Sequence, residues 1–310
     1  MNRFYTHPLT TCFCILVLWA GGVNAGQNND DTVITWGEPH FPPYVITKGK
    51  SENNGIDDLI KQDVSEHLTE FTHHFRNANY AKIIDDIKKQ KQVVITPLFK
   101  TPERKKYVLY SSIPSYLVLP NGFIINNADK KRFTPYLTEE NTLDIETLIM
   151  SERLSIGINL GRSYSGILDE MIRNHDASFY KKSSADLSES MIKMLRAGRI
   201  DAMLGFPVEM KFVAQKAGFN YNDFEVLPVK GMVPYSAVYF GAPKNEWGER
   251  VIDQLNMLLM EDGRIARYVG FYENWLNNND KKRYKEVLKL FYLDKHPRIF
   301  NTFSHDRINN

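Results

Sequence analysis

The chain has 310 residues, of which 39 are Lys or Arg and 37 are Asp or Glu, so its formal net charge at pH 7 is only +2. Because the two signs are interspersed, the chain offers no basic face to a phosphate backbone, and charge-driven binding of nucleic acid has no support. Hydrophobic residues make up 43% and aromatic residues 12% of the chain, which excludes a disordered polymer and allows a core large enough for two domains.

The N-terminal segment has the pattern of a secretory signal peptide. Arg3 precedes a short apolar run over residues 12–20, and Val23-Asn24-Ala25 supplies a small-x-Ala end. The apolar run is shorter than the ~20 residues that an ordinary transmembrane helix needs. We therefore predict cleavage after Ala25 and a mature protein in the periplasm; an uncleaved N-terminal anchor is the alternative.

The two cysteines of the chain, Cys12 and Cys14, both lie inside this apolar run. Cleavage of the signal peptide would remove them. We therefore expect a mature protein with neither a disulfide nor thiol chemistry.

Along the rest of the chain, apolar residues recur either at helical spacing or in short β-forming runs. The predicted strands cover residues 32–36, 93–96, 154–160, 200–204 and 237–243. The predicted helices cover residues 55–71, 80–90, 163–173, 187–197, 246–275 and 283–291. Because strands alternate with helices, the predicted fold class is α/β, with parallel sheets and crossover helices.

Two stretches, residues 115–125 and 225–236, have the composition of connectors between lobes. Each combines β-forming residues with Pro and Gly, as an extended segment that bends does. If both cross between lobes, the second lobe is an insertion in the first. The predicted organisation is a first lobe from residues 26–120 and 231–280, a second lobe from 121–230, and a C-terminal helix and tail over 281–310.

The first candidate binding residue is Arg104. In α/β sheets ligands bind where a strand ends and the next helix begins, because backbone N–H groups point there. Thr101 follows the strand at 93–96 as a potential helix cap, and Pro102 suits the first helical position. Arg104 would then project beside backbone N–H groups, an arrangement that suits a carboxylate. The alternative is a solvent-facing charge beside Lys105.

The second candidate is the turn at Gly161-Arg162-Ser163, which follows the strand at 154–160. Its glycine allows the chain to turn tightly, and the backbone N–H of Ser163 at the following helix start would face an anion. The spacing of glycines is not Gly-x-Gly-x-x-Gly, so a dinucleotide site is rejected. A tight turn without a ligand is the alternative interpretation.

Other polar residues give no chemical signal. His73 and His74 are adjacent in a strand and would point to opposite faces, so they are assigned to the surface rather than to a metal site. Asp57 and Asp58 are placed on the solvated face of their helix. No catalytic motif is present, and we predict no metal and no cofactor.

Five motifs occur in a fixed order along the mature chain. They are Phe-Pro-Pro-Tyr at 41–44, Thr-Pro-Glu-Arg at 101–104 followed by 108–111, and the segments 156–161, 195–202 and 258–275. In this order and spacing the chain resembles the periplasmic solute-binding proteins of the polar-amino-acid type, bacterial extracellular solute-binding protein family 3. The resemblance covers most of the mature chain.

The resemblance implies a type II periplasmic binding fold, in which two α/β lobes joined by two crossing strands close on a small ligand. In such proteins the arginine of the Thr-x-x-Arg motif, here Arg104, grips the carboxylate of the ligand. The helix start after the glycine turn adds N–H donors, here at Ser163 behind Gly161 and Arg162.

The resemblance also implies an aromatic cover for the ligand, here Phe41, with Tyr44 as second choice. Two positions depart from the family pattern. Phe206 stands where an acidic residue usually holds the α-ammonium group, and Phe99 stands where small hydroxyl residues are usual. A ring between these phenylalanines, with an anionic group at the arginine, fits better than a plain α-amino acid, unless Glu209 substitutes for the missing acid.

The predicted function is therefore capture of a small, carboxylate-bearing solute for an ABC importer, by a monomer that binds no nucleic acid. The alternative partner is a membrane signalling receptor that senses the ligand. A second alternative is a dehydratase-like enzyme on the same scaffold, which would need Glu209 or Glu38 as an acid/base.

Overall fold

The computed structural model describes residues 31–160, 162–164, 166–182, 189–293 and 295–300. The predicted signal peptide with Cys12, Cys14 and its cleavage site after Ala25 lies outside the described residues, and so does Gly161. None of the described helices is long and apolar enough to span a membrane.

The described chain forms eleven strands and eleven α-helices. The strands are β1 Val33–Glu38, β2 Thr72–Asn77, β3 Val93–Phe99, β4 Val108–Tyr110, β5 Tyr116–Val118, β6 Gly122–Asn126, β7 Ile156–Asn159, β8 Phe179–Lys182, β9 Ala202–Gly205, β10 Phe224–Leu227 and β11 Ser236–Pro243. The helices are α1 Ile56–His67, α2 Tyr80–Lys88, α3 Lys130–Phe133, α4 Ile145–Met150, α5 Gly166–Asn174, α6 Glu189–Arg196, α7 Pro207–Lys216, α8 Glu246–Leu259, α9 Arg264–Glu273, α10 Asn278–Leu288 and α11 Pro297–Phe300.

The first sheet has the order β2-β1-β3-β11-β4, and β5 also pairs with β11. β1 is parallel to β2 and β3, whereas β11 is antiparallel to β3, β4 and β5. Helix α1 packs on this sheet because Ile56, Ile60 and Val64 recur every four residues and are fully buried on one face. They join Trp36 of β1 in a core that also includes α8 and α9.

The second sheet has the order β10-β6-β9-β7-β8. β7 is parallel to β8 and β9, and β6 is antiparallel to β9 and β10. Helices cover both faces, since Leu148 of α4 and Leu168 of α5 belong to one buried cluster and Leu195 of α6 and Met210 of α7 to another. A sheet covered on both faces explains why its three central strands, β6, β9 and β7, are buried along their whole length.

The chain passes between the two sheets twice, from β5 to β6 and from β10 back to β11. The predicted fold class, two-lobed α/β of the periplasmic binding type, is confirmed. The expected parallel pairings occur in both sheets, β1 with β2 and β3 and β7 with β8 and β9, but both sheets are mixed, because the strands next to the two connectors run antiparallel to their neighbours. The lobe boundaries at residues 120, 230 and 280 stay a prediction.

The assignment of Asp57 and Asp58 to a solvated face is wrong. Asp57 is fully buried at the start of α1 and accepts hydrogen bonds of 2.6 Å from the hydroxyls of Thr96 and Tyr116. Burial raises the pKa of Asp57 to about 7, although the two hydroxyls act in the opposite direction. Asp58 accepts hydrogen bonds from two backbone N–H groups, so both carboxylates serve the packing of α1.

Candidate functional site

A cleft of about 1020 Å³ lies between the ends of the two sheets. Six of the residues singled out in the sequence line it together: Phe41, Phe99, Arg104, Arg162, Ser163 and Phe206. The structure thus brings together residues that lie up to 165 positions apart in the chain. Parallel β-sheets commonly bind ligands at such crevices beyond the ends of their strands.

Arg104 reaches the cleft from a turn that follows β3. Its backbone N–H donates to the Thr101 hydroxyl over 3.2 Å, and its guanidinium donates to the carbonyl of Phe99 over 3.1 Å. The expected α-helix after Thr101 is absent from this stretch: a 3-10 turn over Arg104–Lys106 leads straight into β4, which is held by β11. No described carboxylate forms an ion pair with Arg104.

Arg162 enters the cleft from the opposite side and forms an ion pair. Its Nη2 lies 2.8 Å from Oε2 of Glu209, and the two side chains are only 12% and 3% exposed. The same carboxylate oxygen accepts the backbone N–H of Phe206 over 2.9 Å, which caps α7. Glu209 is therefore engaged through Oε2 by a neighbouring charge and a helix terminus, and its charge is offset by Arg162.

Ser163 lies on the cleft wall but is not the first residue of the helix. Its hydroxyl donates to the carboxylate of Asp169, which also accepts the backbone N–H of Tyr164 over 2.6 Å. Helix α5 begins only at Gly166. The helix start is thus three residues later than the sequence predicted, because Asp169 holds the preceding turn by side-chain hydrogen bonds.

The aromatic residues form one wall of the cleft. Phe41 stacks on Tyr44 with ring centroids 5.0 Å apart, and Tyr44 meets the edge of Phe206 at 6.2 Å. Tyr44 is 3% exposed and does not line the cleft; it supports Phe41 from behind. The guanidinium of Arg162 lies 5.4 Å from the Phe206 centroid, so the wall is both aromatic and cationic.

Sequence reasoning missed Lys100, which also lines the cleft. Its ammonium lies 3.6 Å from the ring centroid of Tyr239 and donates to the carbonyl of Ser111 over 3.1 Å. Burial, with a smaller contribution from the positive charge of Lys105, lowers the pKa of Lys100 to about 8. No described carboxylate pairs with this lysine.

Asn159 is the second residue that the sequence did not reveal. It is 4% exposed at the carboxyl end of β7, and within the described part of the chain neither atom of its side-chain amide has a hydrogen-bond partner. Buried amides are normally satisfied, so an amide of this kind beside a cleft is suited to a ligand. Its place at the end of a strand was the one available signal.

The charge of the cleft is one-sided. Among the described residues that line it, Lys100, Arg104 and Arg162 are cationic and none is a carboxylate. Glu38, the other carboxylate considered for acid/base chemistry, forms an ion pair with Lys61 and does not line the cleft. The arrangement is therefore suited to binding an anion rather than to proton transfer by a carboxyl group.

Comparison with known proteins agrees with this fold. The sequence model of the bacterial extracellular solute-binding proteins, family 3, matches residues 33–208. The L-cystine-binding protein TcyJ of Bacillus subtilis (strain 168) is 20% identical over 219 residues, which cover 68% of this chain and 76% of that protein.

Two solved structures are similar in backbone. The probable amino-acid ABC transporter extracellular-binding protein ytmK from Bacillus subtilis has a TM-score of 0.59 at 17% identity, over 80% of this chain and 98% of the other. The open substrate-binding domain 2 of Lactococcus lactis GlnP has a TM-score of 0.56 at 17% identity, over 79% and 95%. At these identities the likeness concerns the fold.

Proposed function

The chain belongs to the bacterial extracellular solute-binding proteins, family 3, and from that premise we propose that it captures a small carboxylate-bearing solute for an ABC importer. The observation that carries this proposal is Arg104, a cleft-lining guanidinium without an ion-pair partner among the described residues. A planar guanidinium binds a carboxylate through two parallel hydrogen bonds, which gives both energy and orientation.

The names of similar proteins favour an amino-acid-like ligand, since one of them is an L-cystine-binding protein. The cleft favours a ligand without an α-ammonium group. Phe206 presents no charge, and the carboxylate of Glu209 is already offset by Arg162. An ammonium group there would be buried without a counter-charge, which is costly.

The extracellular character of the family supports export and a periplasmic location, with cleavage after Ala25 as the proposed processing site. A permease is the proposed partner; a signalling receptor that binds the same closed form is the alternative.

We propose a binding protein rather than a dehydratase-like enzyme because Glu38 and Glu209 are each held in an ion pair. The proposed state is a monomer.

The test is a ligand screen by thermal shift with Arg104→Met and a matched control. Lys105→Met removes the same charge from the neighbouring, exposed position, which does not line the cleft. The probes are benzoate, glutarate, L-glutamine and L-cystine. A probe that binds the wild type should bind Arg104→Met about 10–100-fold more weakly, because hydrogen bonds to a charged group contribute about 1.5–3 kcal/mol to binding. The same probe should bind Lys105→Met as tightly as the wild type. Equal affinity in both variants would remove Arg104 from the site.

A further inference from the structure

We propose that Lys100 and Arg104 form two neighbouring anion subsites, so that the solute carries two negative groups and no ammonium group. The class of ligand is a dicarboxylate, or a carboxylate that also bears a sulfonate or phosphonate group. This inference rests on the proposed solute-binding function and specifies its substrate.

The two cations are neighbours because both are organised around Tyr110. Its hydroxyl donates to the carbonyl of Phe99 over 3.3 Å, and the guanidinium of Arg104 donates to the same carbonyl over 3.1 Å. The ammonium of Lys100 lies 5.5 Å from the centroid of the Tyr110 ring. Tyr110 therefore contacts Lys100 and shares a hydrogen-bond acceptor with Arg104, so both cationic side chains lie at the same end of the cleft.

Lys100 is held in place rather than freely solvated. Its ammonium group donates one hydrogen bond to the carbonyl of Ser111, and the ammonium nitrogen lies 3.6 Å from the ring centroid of Tyr239 on β11. An ammonium group has three donors, so donors remain for a ligand. Because Lys100 comes directly after β3, its position is fixed by the same strand end that places Arg104.

The charge balance then selects the ligand. Arg162 is offset by Glu209, which leaves the charges of Lys100 and Arg104 without a counter-charge among the described lining residues. A dianion offsets both. A monoanion would leave one cation partly desolvated and unpaired, and a zwitterion would add a third positive charge, so both should bind more weakly.

Asn159 and Arg162 supply the rest of the polar lining. The amide of Asn159 and the Nη1 of Arg162 are buried and have no hydrogen-bond partner among the described residues. Both can donate to the oxygen atoms of an anionic ligand from the side opposite to Lys100. The ring of Phe41, which also lines the cleft, would cover the carbon skeleton of that ligand.

The experiment compares matched pairs of probes by isothermal titration calorimetry. Glutarate is compared with its monoamide, and isophthalate with its monoamide, because each pair differs by one charge at nearly constant shape. The variants are Lys100→Met, Lys100→Arg and the control Lys105→Met. In the wild type the dianion of at least one pair should bind about tenfold or more tightly than its monoamide. Lys100→Met should abolish this preference, while Lys100→Arg and Lys105→Met should retain it.

Proton uptake gives a second readout that a purely structural role would not move. Because the pKa of Lys100 is lowered to about 8, about half of the unliganded molecules carry a neutral Lys100 at pH 8. A bound anion favours the charged form, so binding should take up about half a proton per molecule. The uptake is measured from the binding heats in two buffers of different ionisation enthalpy. Two tyrosines face Lys100: burial raises the pKa of Tyr110 to about 12 and that of Tyr239 above its usual range, so neither takes up a proton near pH 8. The uptake should vanish in Lys100→Arg.

Equal affinity for dianion and monoamide in the wild type, or an unchanged preference in Lys100→Met, would overturn the dianion assignment. Tighter binding of L-glutamine or L-cystine than of any dianion would overturn it as well, while the solute-binding function would stand. Binding of none of these probes would count against both, and that outcome is distinct from the first two.

Discussion

The buried ion pair between Arg162 and Glu209 allows a quantitative test of how the cleft is built. Glu209→Gln keeps the shape of the side chain and one oxygen acceptor for the N–H of Phe206, and it removes only the negative charge. Arg162 would remain with its Nη2 on the amide oxygen of Asn121 at 3.4 Å and on the faces of two aromatic rings. No described carboxylate would replace the lost partner.

The magnitude follows from the geometry. Two unit charges 2.8 Å apart attract by about 6 kcal/mol at an effective dielectric constant of about 20. Breaking a buried pair costs about 3–5 kcal/mol, and we take about 3 kcal/mol because Arg162 keeps 12% of its side chain exposed to the cleft. At about 2–4 °C per kcal/mol, the melting temperature should fall by about 6–12 °C.

The assay is urea and thermal unfolding followed by circular dichroism, completed by the double variant Arg162→Met/Glu209→Gln. The double variant should recover most of the lost stability, because it leaves no unpaired charge. Glu225→Gln is the matched control, since Glu225 pairs with Lys130 at the same 2.8 Å but the lysine is 49% exposed; it should cost less than about 1 kcal/mol. If Glu209→Gln costs no more than this control, the reasoning on the buried pair is refuted.

Two further predictions concern stability. Because burial raises the pKa of Asp57 to about 7, the folded state holds this proton more tightly than the unfolded chain, and the contribution of the group to stability falls as the pH rises from about 4 to about 7. Asp57→Asn removes one of the two oxygen acceptors at every pH, so its effect on the melting temperature relative to the wild type should be more favourable at about pH 8 than at about pH 5; an equal difference at both values would contradict this. Gly122→Ala should cost about 1–3 kcal/mol because its Cβ would lie 2.5 Å from the backbone carbonyl oxygen of Leu227. Gly157→Ala should cost less, since its Cβ would meet only side-chain atoms, Sδ of Met191 at 2.8 Å and Cδ1 of Ile200 at 2.9 Å, which can shift more easily than backbone; the reverse order in chemical unfolding would refute the comparison.

The sequence was sufficient for elements with strong local signals. Helix α1 was expected over 55–71 and is found at Ile56–His67, because its apolar residues recur at helical spacing and are buried. The turn after Thr101 was predicted as a helix because its cap and proline are correct helix signals. Tertiary pairing of β4 with β11, which no local pattern encodes, ends it after one 3-10 turn.

The site residues likewise fall into those with a local sequence signal and those whose role depends on contacts with remote parts of the chain. Arg104 was found from a short motif, whereas Lys100, its near neighbour in sequence, was not. Two features identify Lys100 as a candidate binding residue: its contact with the ring of Tyr239, and the absence of a partner carboxylate among the described residues. Neither can be predicted locally, because Tyr239 belongs to a strand that is remote in the chain. The sequence predicted Glu209 as an unpaired acid, because its partner Arg162 is 47 residues away and a contact at that separation produces no local sequence pattern.

The position of β11 has a consequence for how the chain can reach this fold. β11 lies inside the first sheet, between β3 and β4, although it is the last strand to be synthesised. The second sheet is drawn from one continuous stretch, β6 to β10, and needs nothing that comes later in the chain. The first sheet, by contrast, stays open along its middle until residue 243 is available, so the half of the cleft that carries Arg104 and Lys100 is completed last.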